Sequence, residues 1–322
     1  MLETHIDQTL TAFFAGDRRA AARLMTAVEN GGPAAEAVLE ALYPKLTGAP
    51  RLGVTGPPGV GKSTLVDALA RHHRGLDRRV GVVAVDPTSP FTGGAVLGDR
   101  VRMNDLATDP GVFIRSMATR GSLGGLARTS KEVVDVLEAF GHDLLIIETV
   151  GVGQTEMDIA GTADTTVVVL SPESGDSIQA MKAGLMEAAD VLVVNKADRP
   201  GADQMVRTLE ADLHMRPAAD WTPPVIRTVA SSGDGLADLT AAVDAHHRYL
   251  TGSGDLERRR HARVRVEILA VLRDRLWRRA QRDLTDHVPG WTEKVLAGEA
   301  TPYTAARAML AALIDDDPED DE

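Results

Sequence analysis

The chain has 322 residues, of which 43% are hydrophobic and 25% are charged, which predicts a folded domain with appendages. It contains no cysteine, which excludes disulfides, thiol catalysis and cysteine-based zinc sites. The formal net charge is −12, with seven acidic residues among the last eight, so nucleic acid is not an expected partner. No apolar run is long enough to span a bilayer, and the first residues lack the pattern of a secretory signal. We therefore expect a cytoplasmic protein with no membrane partner.

The first 49 residues predict helices, because alanine-rich helical patterns lie on both sides of a glycine-proline turn at residues 31–33. Beyond them, short apolar runs alternate with helical patterns. This alternation predicts an α/β domain with a mostly parallel central sheet flanked by helices. The predicted strands are, in chain order, 51–55, 80–85, 112–115, 144–148, 165–170, 191–195 and 225–229.

The pattern changes after Leu250. The sequence TGSGD at residues 251–255 predicts a flexible break. A long arginine-rich helix follows over residues 256–284, and VPGW at residues 288–291 predicts its end. A last helical segment is expected from about residue 302 to residue 314.

Four regions follow from these patterns. Apolar residues are frequent in residues 289–314, which favours a dimerisation arm. The acidic end predicts a disordered, solubilising tail. The regions are a helical extension (1–49), a nucleotide-binding domain (50–250), C-terminal helices with the arm (251–314) and the tail (315–322).

The strongest motif is GPPGVGKST, which fits G-x-x-x-x-G-K-[ST] between a predicted strand and a predicted helix. In such a P-loop, backbone N–H groups and the positive end of the helix hold phosphates. Lys62 is predicted to neutralise the β and γ oxygens, and Ser63 to ligate Mg²⁺. The predicted phosphate-binding residues are Gly56, Pro57, Pro58, Gly59, Val60, Gly61, Lys62, Ser63 and Thr64.

A second motif, NKAD at residues 195–198, follows the apolar run VLVV and predicts recognition of guanine. The Asp198 carboxylate can accept hydrogen bonds from two guanine donors that adenine lacks, and the stem of Lys196 can lie along the base. The next predicted strand leads into ASSGDG, whose loop would offer backbone donors to the guanine carbonyl. The predicted base-site residues are Asn195, Lys196, Asp198, Ser231, Ser232 and Gly233.

Three acidic residues between the two motifs predict a Mg²⁺ site together with Ser63: Asp86, Asp99 and Glu148. Glu148 ends an apolar run where most small GTPases have aspartate. Asp86 and Asp99 taken alone are equally consistent with turn or cap residues. Gly151 would offer its N–H to the γ-phosphate, so that loss of this phosphate releases the loop.

The combination resembles one family, the G-proteins that chaperone the adenosylcobalamin-dependent methylmalonyl-CoA mutase, which includes bacterial MeaB-type proteins and the human methylmalonic aciduria type A protein. The resemblance covers roughly residues 30–314. It lies in the segments GPPGVGKSTL, VDPTSPFTGGAVLGDRVRM, RGSLGGLA, ETVGVGQTE, SGDSIQAMKAG, NKAD and TPYTAARAML.

The resemblance implies roles for particular residues. Asp86, Asp99 and Glu148 would organise Mg²⁺ and the first two switches. Gln179 and Lys182, in a third switch, would couple hydrolysis to the mutase, which gives a catalytic set of Lys62, Glu148, Gln179 and Lys182. Glu173 departs from the family pattern, which usually has a small residue there.

The resemblance also implies weak intrinsic GTP hydrolysis, and the sequence gives a physical reason for it. Fast hydrolysis needs a group that orients water and a cation that stabilises developing charge. Gln154 could orient water, or it could form hydrogen bonds within its loop. Arg100, Arg102 and Arg120 are candidate cations, although each alone is more typical of a solvated surface residue.

The expected function is a GTPase chaperone that gates cobalamin loading and repair on a B12-dependent acyl-CoA mutase, with methylmalonyl-CoA mutase as the first candidate. Two alternatives stay open. One is an ATPase or kinase tied to transport of basic amino acids, against which NKAD argues. The other is a metal-insertion GTPase, which usually displays a His-rich tract or cysteine ligands.

Overall fold

The protein is described by a computed structural model. The described residues are 2–86, 106, 108–118, 128–149, 159–173, 186–217 and 219–315. The chain divides into two compact units, residues 1–260 and 261–322.

Three helices open the first unit: α1 (Leu2–Phe14), α2 (Arg18–Asn30) and α3 (Pro33–Leu42), followed by a 3-10 turn at Tyr43–Lys45. Asp17 caps α2, because its side chain accepts hydrogen bonds from the N–H groups of Arg19 and Ala20.

Seven parallel strands form one sheet in the order β3-β2-β4-β1-β5-β6-β7, which confirms the predicted α/β class. The strands are β1 (Arg51–Thr55), β2 (Val80–Asp86), β3 (Val112–Ala118), β4 (Leu144–Thr149), β5 (Thr165–Leu170), β6 (Val191–Val194) and β7 (Val225–Arg227). Among the described residues, the helices that follow in this unit are α4 (Lys62–Gly75), α5 (Arg128–Ala139), α6 (Ala202–His214) and α7 (Leu236–Ser253). The next helix, α8 (Asp255–Leu284), begins in this unit and continues into the second.

The central strands are buried on both faces, which explains why their sequences are continuous apolar runs rather than alternating ones. One core cluster joins β2 and β4 to the N-terminal helices and α5, and a second joins β1 and β2 to α4 and α7. Because all strands are parallel, the carboxyl ends of β1, β4, β5 and β6 lie at the same edge of the sheet. The P-loop and NKAD follow two of these ends.

Two predictions for the C-terminal part are wrong. The expected flexible break at residues 251–255 is a single residue, because α7 continues to Ser253 and α8 begins at Asp255. Gly254 forms this junction with φ 75°, a conformation that glycine adopts without strain. VPGW does not end the arginine-rich helix. That helix ends at Leu284, and VPGW begins the next one, with a proline in its first turn.

The second unit contains the rest of α8, a 3-10 turn (Thr285–His287), α9 (Val288–Leu296) and α10 (Pro302–Asp315). Many of its large apolar side chains are exposed. Across the described part of the chain, no helix combines the length and the apolar composition needed to cross a membrane.

Candidate nucleotide-binding site

The P-loop lies between β1 and α4 and needs glycine at two of its positions. Gly56 has φ 141°, and a Cβ there would lie 2.1 Å from the carbonyl oxygen of Val169. Gly61 has φ 94°, and a Cβ there would lie 2.5 Å from Nδ2 of Asn195. A side chain at either position would therefore displace β5 or the NKAD loop. Val60 between them is buried and anchors the loop in the core.

Lys62 is the first residue of α4 and is buried. Its Nζ donates hydrogen bonds to the carbonyl oxygens of Gly56 (2.8 Å) and Pro57 (2.9 Å). The ammonium group thus lies inside the loop, next to the N-terminus of a helix, where two sources of positive potential coincide. Pro58 and Gly59 on the same loop are exposed, as is Thr64 in the first turn of α4.

Glu148 lies near the end of β4, and its register partner on β1 is Val54. Its side chain is buried, and its Oε1 accepts a hydrogen bond from Oγ of Ser63 at 2.6 Å. A hydroxyl and a carboxylate therefore meet beside the P-loop, and both are oxygen ligands of the kind that Mg²⁺ prefers. One residue further along each strand, Oγ1 of Thr149 donates to Oγ1 of Thr55 at 2.8 Å. This hydrogen bond joins the ends of β4 and β1.

Two protein ligands, Ser63 and Glu148, are a set that suits Mg²⁺. A metal that requires three or four protein side chains would not be satisfied by them. Mg²⁺ usually retains several waters and takes one or two protein carboxylates plus phosphate oxygens. Within the described ranges, no group of three or more His, Asp and Glu side chains is placed to hold a metal ion.

Asn195 joins three loops of the site and is almost fully buried. Its Nδ2 donates to the carbonyl oxygen of Val60 in the P-loop at 2.8 Å. Its Oδ1 accepts from Oγ1 of Thr228 and from the N–H of Ala230, each at 3.1 Å. These hydrogen bonds tie NKAD to the P-loop and to the loop after β7, so Asn195 positions the loops that would hold a nucleotide.

The other residues of NKAD project from this buried centre. Lys196 has φ 57°, which is uncommon for a residue other than glycine, and its Nζ lies 2.8 Å from Oε2 of Glu173. The Asp198 side chain is exposed, with one oxygen 3.8 Å from Nε of Arg199. Asp198 is therefore accessible to a base, as its predicted role requires.

The loop after β7 is a tight turn. Only some of its backbone N–H groups are available to bind the guanine carbonyl. The N–H groups of Ser232 and Gly233 both donate to the carbonyl oxygen of Val229, at 3.1 and 3.0 Å. Oγ of Ser232 donates to Asp234. Of the three predicted donors, Ser231 is the one whose N–H takes no part in the hydrogen bonds found among the described residues.

Several predicted site residues lie outside the described part of the chain. Asp86 ends β2 beside the end of β4, but its side chain is not described. The others outside the described residues are Asp99, Arg100, Arg102, Arg120, Gly151, Gln154, Gln179 and Lys182.

Sequence reasoning missed two contacts of this site. Thr228 is buried and holds Asn195, yet a threonine at a strand end carries no sequence signal of such a role. Glu173 departs from the family pattern in sequence, but its partner Lys196 is apparent only from the structure.

Fold and site define a P-loop NTPase: a parallel sheet, a phosphate-binding loop between β1 and α4, and a base-reading loop after β6. Comparison with known proteins narrows this class. A family described as "Methylmalonyl Co-A mutase-associated GTPase MeaB" matches residues 21–285. The chain belongs to this family, as its sequence motifs predicted, and it is a GTPase.

Relatives support the assignment along most of the chain. A putative GTPase of Pyrococcus horikoshii is 44% identical over 96% of this chain and 98% of its own length. The mitochondrial methylmalonic aciduria type A homolog of Mus musculus is 32% identical over 96% of this chain and 79% of its own length. A solved structure of an LAO/AO transport system kinase is 28% identical, with a TM-score of 0.71, covering 97% of this chain and 98% of that one.

Proposed function

We propose that this GTPase is a chaperone of a B12-dependent acyl-CoA mutase, with methylmalonyl-CoA mutase as the first candidate client. The observation that carries the proposal is the family match, since the family is described as mutase-associated and matches residues 21–285. The methylmalonic aciduria type A homolog of mouse supports the same client. In this role the protein would gate loading and repair of adenosylcobalamin on the mutase.

The described site suits the nucleotide part of this role. Lys62 would balance the charge of the β- and γ-phosphates from inside the P-loop. Ser63 and Glu148 would hold Mg²⁺, which when bound neutralises phosphate charge. Asp198 would accept two hydrogen bonds from guanine, and the stem of Lys196 would cover the base.

Coupling to the client is assigned to Gln179 and Lys182 of the third switch, as the family resemblance implies. A GTPase with weak intrinsic activity needs a partner to complete the groups that stabilise developing charge. The nucleotide would then act as a clock, because GTP holds one arrangement of the switches and hydrolysis releases it.

A homodimer is part of the proposal, formed through residues 289–314 together with the exposed face of α8. The large apolar side chains exposed on α8, α9 and α10 are Val264, Val266, Ile268, Leu269, Leu272, Leu276, Trp277, Val288, Leu296, Tyr303 and Leu310. So many exposed apolar side chains on one small helical unit are typical of an interaction surface. We propose a second copy of the chain as the occupant. Arg278 and Arg279 pair with Asp274 and Asp283 within α8, so these arginines are balanced by acids of their own helix and do not oppose its packing against a second copy.

Light scattering after size-exclusion chromatography tests the dimer. Tyr303→Ser and Leu310→Ser should lower the dimer fraction, whereas Glu299→Gln in the same unit should leave it unchanged. A monomeric wild-type protein at micromolar concentration would contradict the dimer.

The client is tested by GTP turnover with and without purified methylmalonyl-CoA mutase. The mutase should accelerate hydrolysis, and Lys182→Ala should reduce the acceleration while nucleotide affinity stays nearly intact. Lys45→Ala, which removes an exposed lysine from the N-terminal helices, is the matched control. Absence of acceleration with this mutase would transfer the proposal to another cobalamin mutase, and absence with all of them would refute it.

A further inference from the structure

Two side chains that follow neighbouring strands meet beside the base-reading loop. Leu170, the last residue of β5, is the register partner of Val194, the last residue of β6. Glu173 follows the first strand and Lys196 the second, so the parallel register brings them to the same edge. Nζ of Lys196 donates to Oε2 of Glu173 at 2.8 Å.

The contact restrains the most flexible side chain of the base motif. A lysine has four rotatable bonds, and ordering it on binding costs conformational entropy. The backbone of Lys196 is already fixed in the left-handed region with φ 57°, and its carbonyl oxygen accepts from the N–H of Arg199. The ion pair fixes the far end of the same residue. Both ends of the lysine stem are thus held before a base arrives.

The charge environment supports an ionised Glu173. The hydrogen bond and the charge of Lys196, with a smaller contribution from Arg199, hold the pKa of Glu173 below its ordinary value. The carboxylate is therefore ionised at neutral pH. Its negative charge also offsets part of the positive charge of Lys196 and Arg199, which flank Asp198 in the sequence. The carboxylate of Asp198 then remains available to guanine.

We propose that Glu173 is a positioning residue of the guanine site: its ion pair holds the stem of Lys196 in the orientation that covers the base. The inference rests on the assignment of Lys196 and Asp198 to the base site and is independent of the mutase. Pre-organising a side chain raises affinity by reducing the entropy lost on binding.

The expected effect is moderate, because ion pairs at exposed positions are weak. Glu173→Gln should weaken the binding of both GDP and GTP by about two- to fivefold, mainly through faster dissociation. The difference from wild type should shrink as the salt concentration rises, since exposed ion pairs are screened.

A double-mutant cycle with GDP tests the mechanism: wild type, Glu173→Gln, Lys196→Met and the double variant, measured by calorimetry and by release of a fluorescent GDP. If Glu173 acts through Lys196, Glu173→Gln should weaken GDP binding in the wild-type background and add nothing in the Lys196→Met background. The matched control is Asp67→Asn, which removes the exposed ion pair of Asp67 with Arg71 on α4. It should leave GDP affinity unchanged.

The outcomes separate the assumptions. Equal loss from Glu173→Gln in both backgrounds would mean a structural role and would overturn the inference, as would no loss in the wild-type background. If Lys196→Met itself leaves GDP affinity unchanged, the base-site assignment fails as well. None of these results depends on whether a mutase accelerates hydrolysis, so the failure of either proposal can be recognised separately.

Discussion

The phosphate end and the base end of the site lie at one edge of the same sheet, yet they are built differently. At the phosphate end, Lys62 and Glu148 are 7% and 4% exposed, and Asn195, which ties NKAD to the P-loop, is 2% exposed. At the base end, the side chains of Lys196 and Asp198 are 32% and 55% exposed. The difference follows from position. Lys62, Glu148 and Asn195 lie in α4, in β4 and directly after β6, which are buried elements, whereas Lys196 and Asp198 lie further out on the loop after β6.

This contrast implies two ways of binding. The buried end is organised by the core, so its polar groups have paid their desolvation cost during folding. The exposed end is desolvated only when a nucleotide covers it. We therefore expect substitutions at the phosphate end to cost more affinity than substitutions at the base end.

The largest effect is expected for Lys62→Ala. Without the buried ammonium group of Lys62, the phosphate charge lacks its partner, and the free energy of GTP binding should weaken by about 3–5 kcal/mol. Calorimetric titration with GTP measures the loss, and Lys45→Ala is the exposed control. Unchanged affinity would contradict the placement of phosphate at Lys62.

A smaller loss of about 2–4 kcal/mol is expected for Asp198→Asn with GDP, because the amide presents a donor where the guanine ring also donates. Xanthosine diphosphate provides the control, since its ring carbonyl can accept from the new amide and should restore binding. A variant that binds GDP as tightly as wild type would show that Asp198 does not read the base.

At the end of the sheet opposite the nucleotide site, the expected effect is on stability as the pH falls and not on nucleotide binding. His73, near the end of α4, is buried, and loss of hydration together with the nearby charges of Arg78 and His72 lowers its pKa from 6.5 to about 4. Its folded pKa is below its unfolded pKa, so its contribution to stability is complete above pH 6.5 and is lost as the pH falls towards 4. The loss should reach about 3 kcal/mol of unfolding free energy.

Chemical denaturation at a series of pH values measures this effect. His73→Gln should flatten the profile between pH 6.5 and pH 4. His72→Gln, at the neighbouring and less buried position, should change the profile much less, because it removes only a minor cause of the low His73 pKa and leaves His73 desolvated. His142, whose pKa burial also lowers to about 4, should leave a residual slope in both variants. A profile unaffected by His73→Gln would refute the assignment.

A smaller effect, about 2 kcal/mol, is expected for Glu148→Gln and only when Mg²⁺ is present, because the amide is a poorer ligand than the carboxylate. GTP affinity is compared with Mg²⁺ and after its removal by a chelator. Loss of the same size in both conditions would remove Glu148 from the metal site. It would then be a positioning partner of Ser63.

Much of the architecture could be predicted from local sequence. The P-loop was found because glycine at positions 56 and 61 answers a local backbone requirement, and the strands because buried parallel strands are continuous apolar runs. The end of α7 was predicted too early because Thr251, Gly252 and Ser253 resemble a linker, although only Gly254 leaves the helix.

What the sequence by itself determined is therefore the set of local structures: where strands end, where the phosphate loop turns, and which residue types stand there. The tertiary structure alone decided which of them meet. Ser63 meets Glu148 across 85 residues, Asn195 meets Val60 across 135, and Lys196 meets Glu173 across 23. The physical reason is that backbone conformation depends on neighbours in the chain, whereas side-chain partners depend on strand order and register. These are set by burying the sheet as a whole.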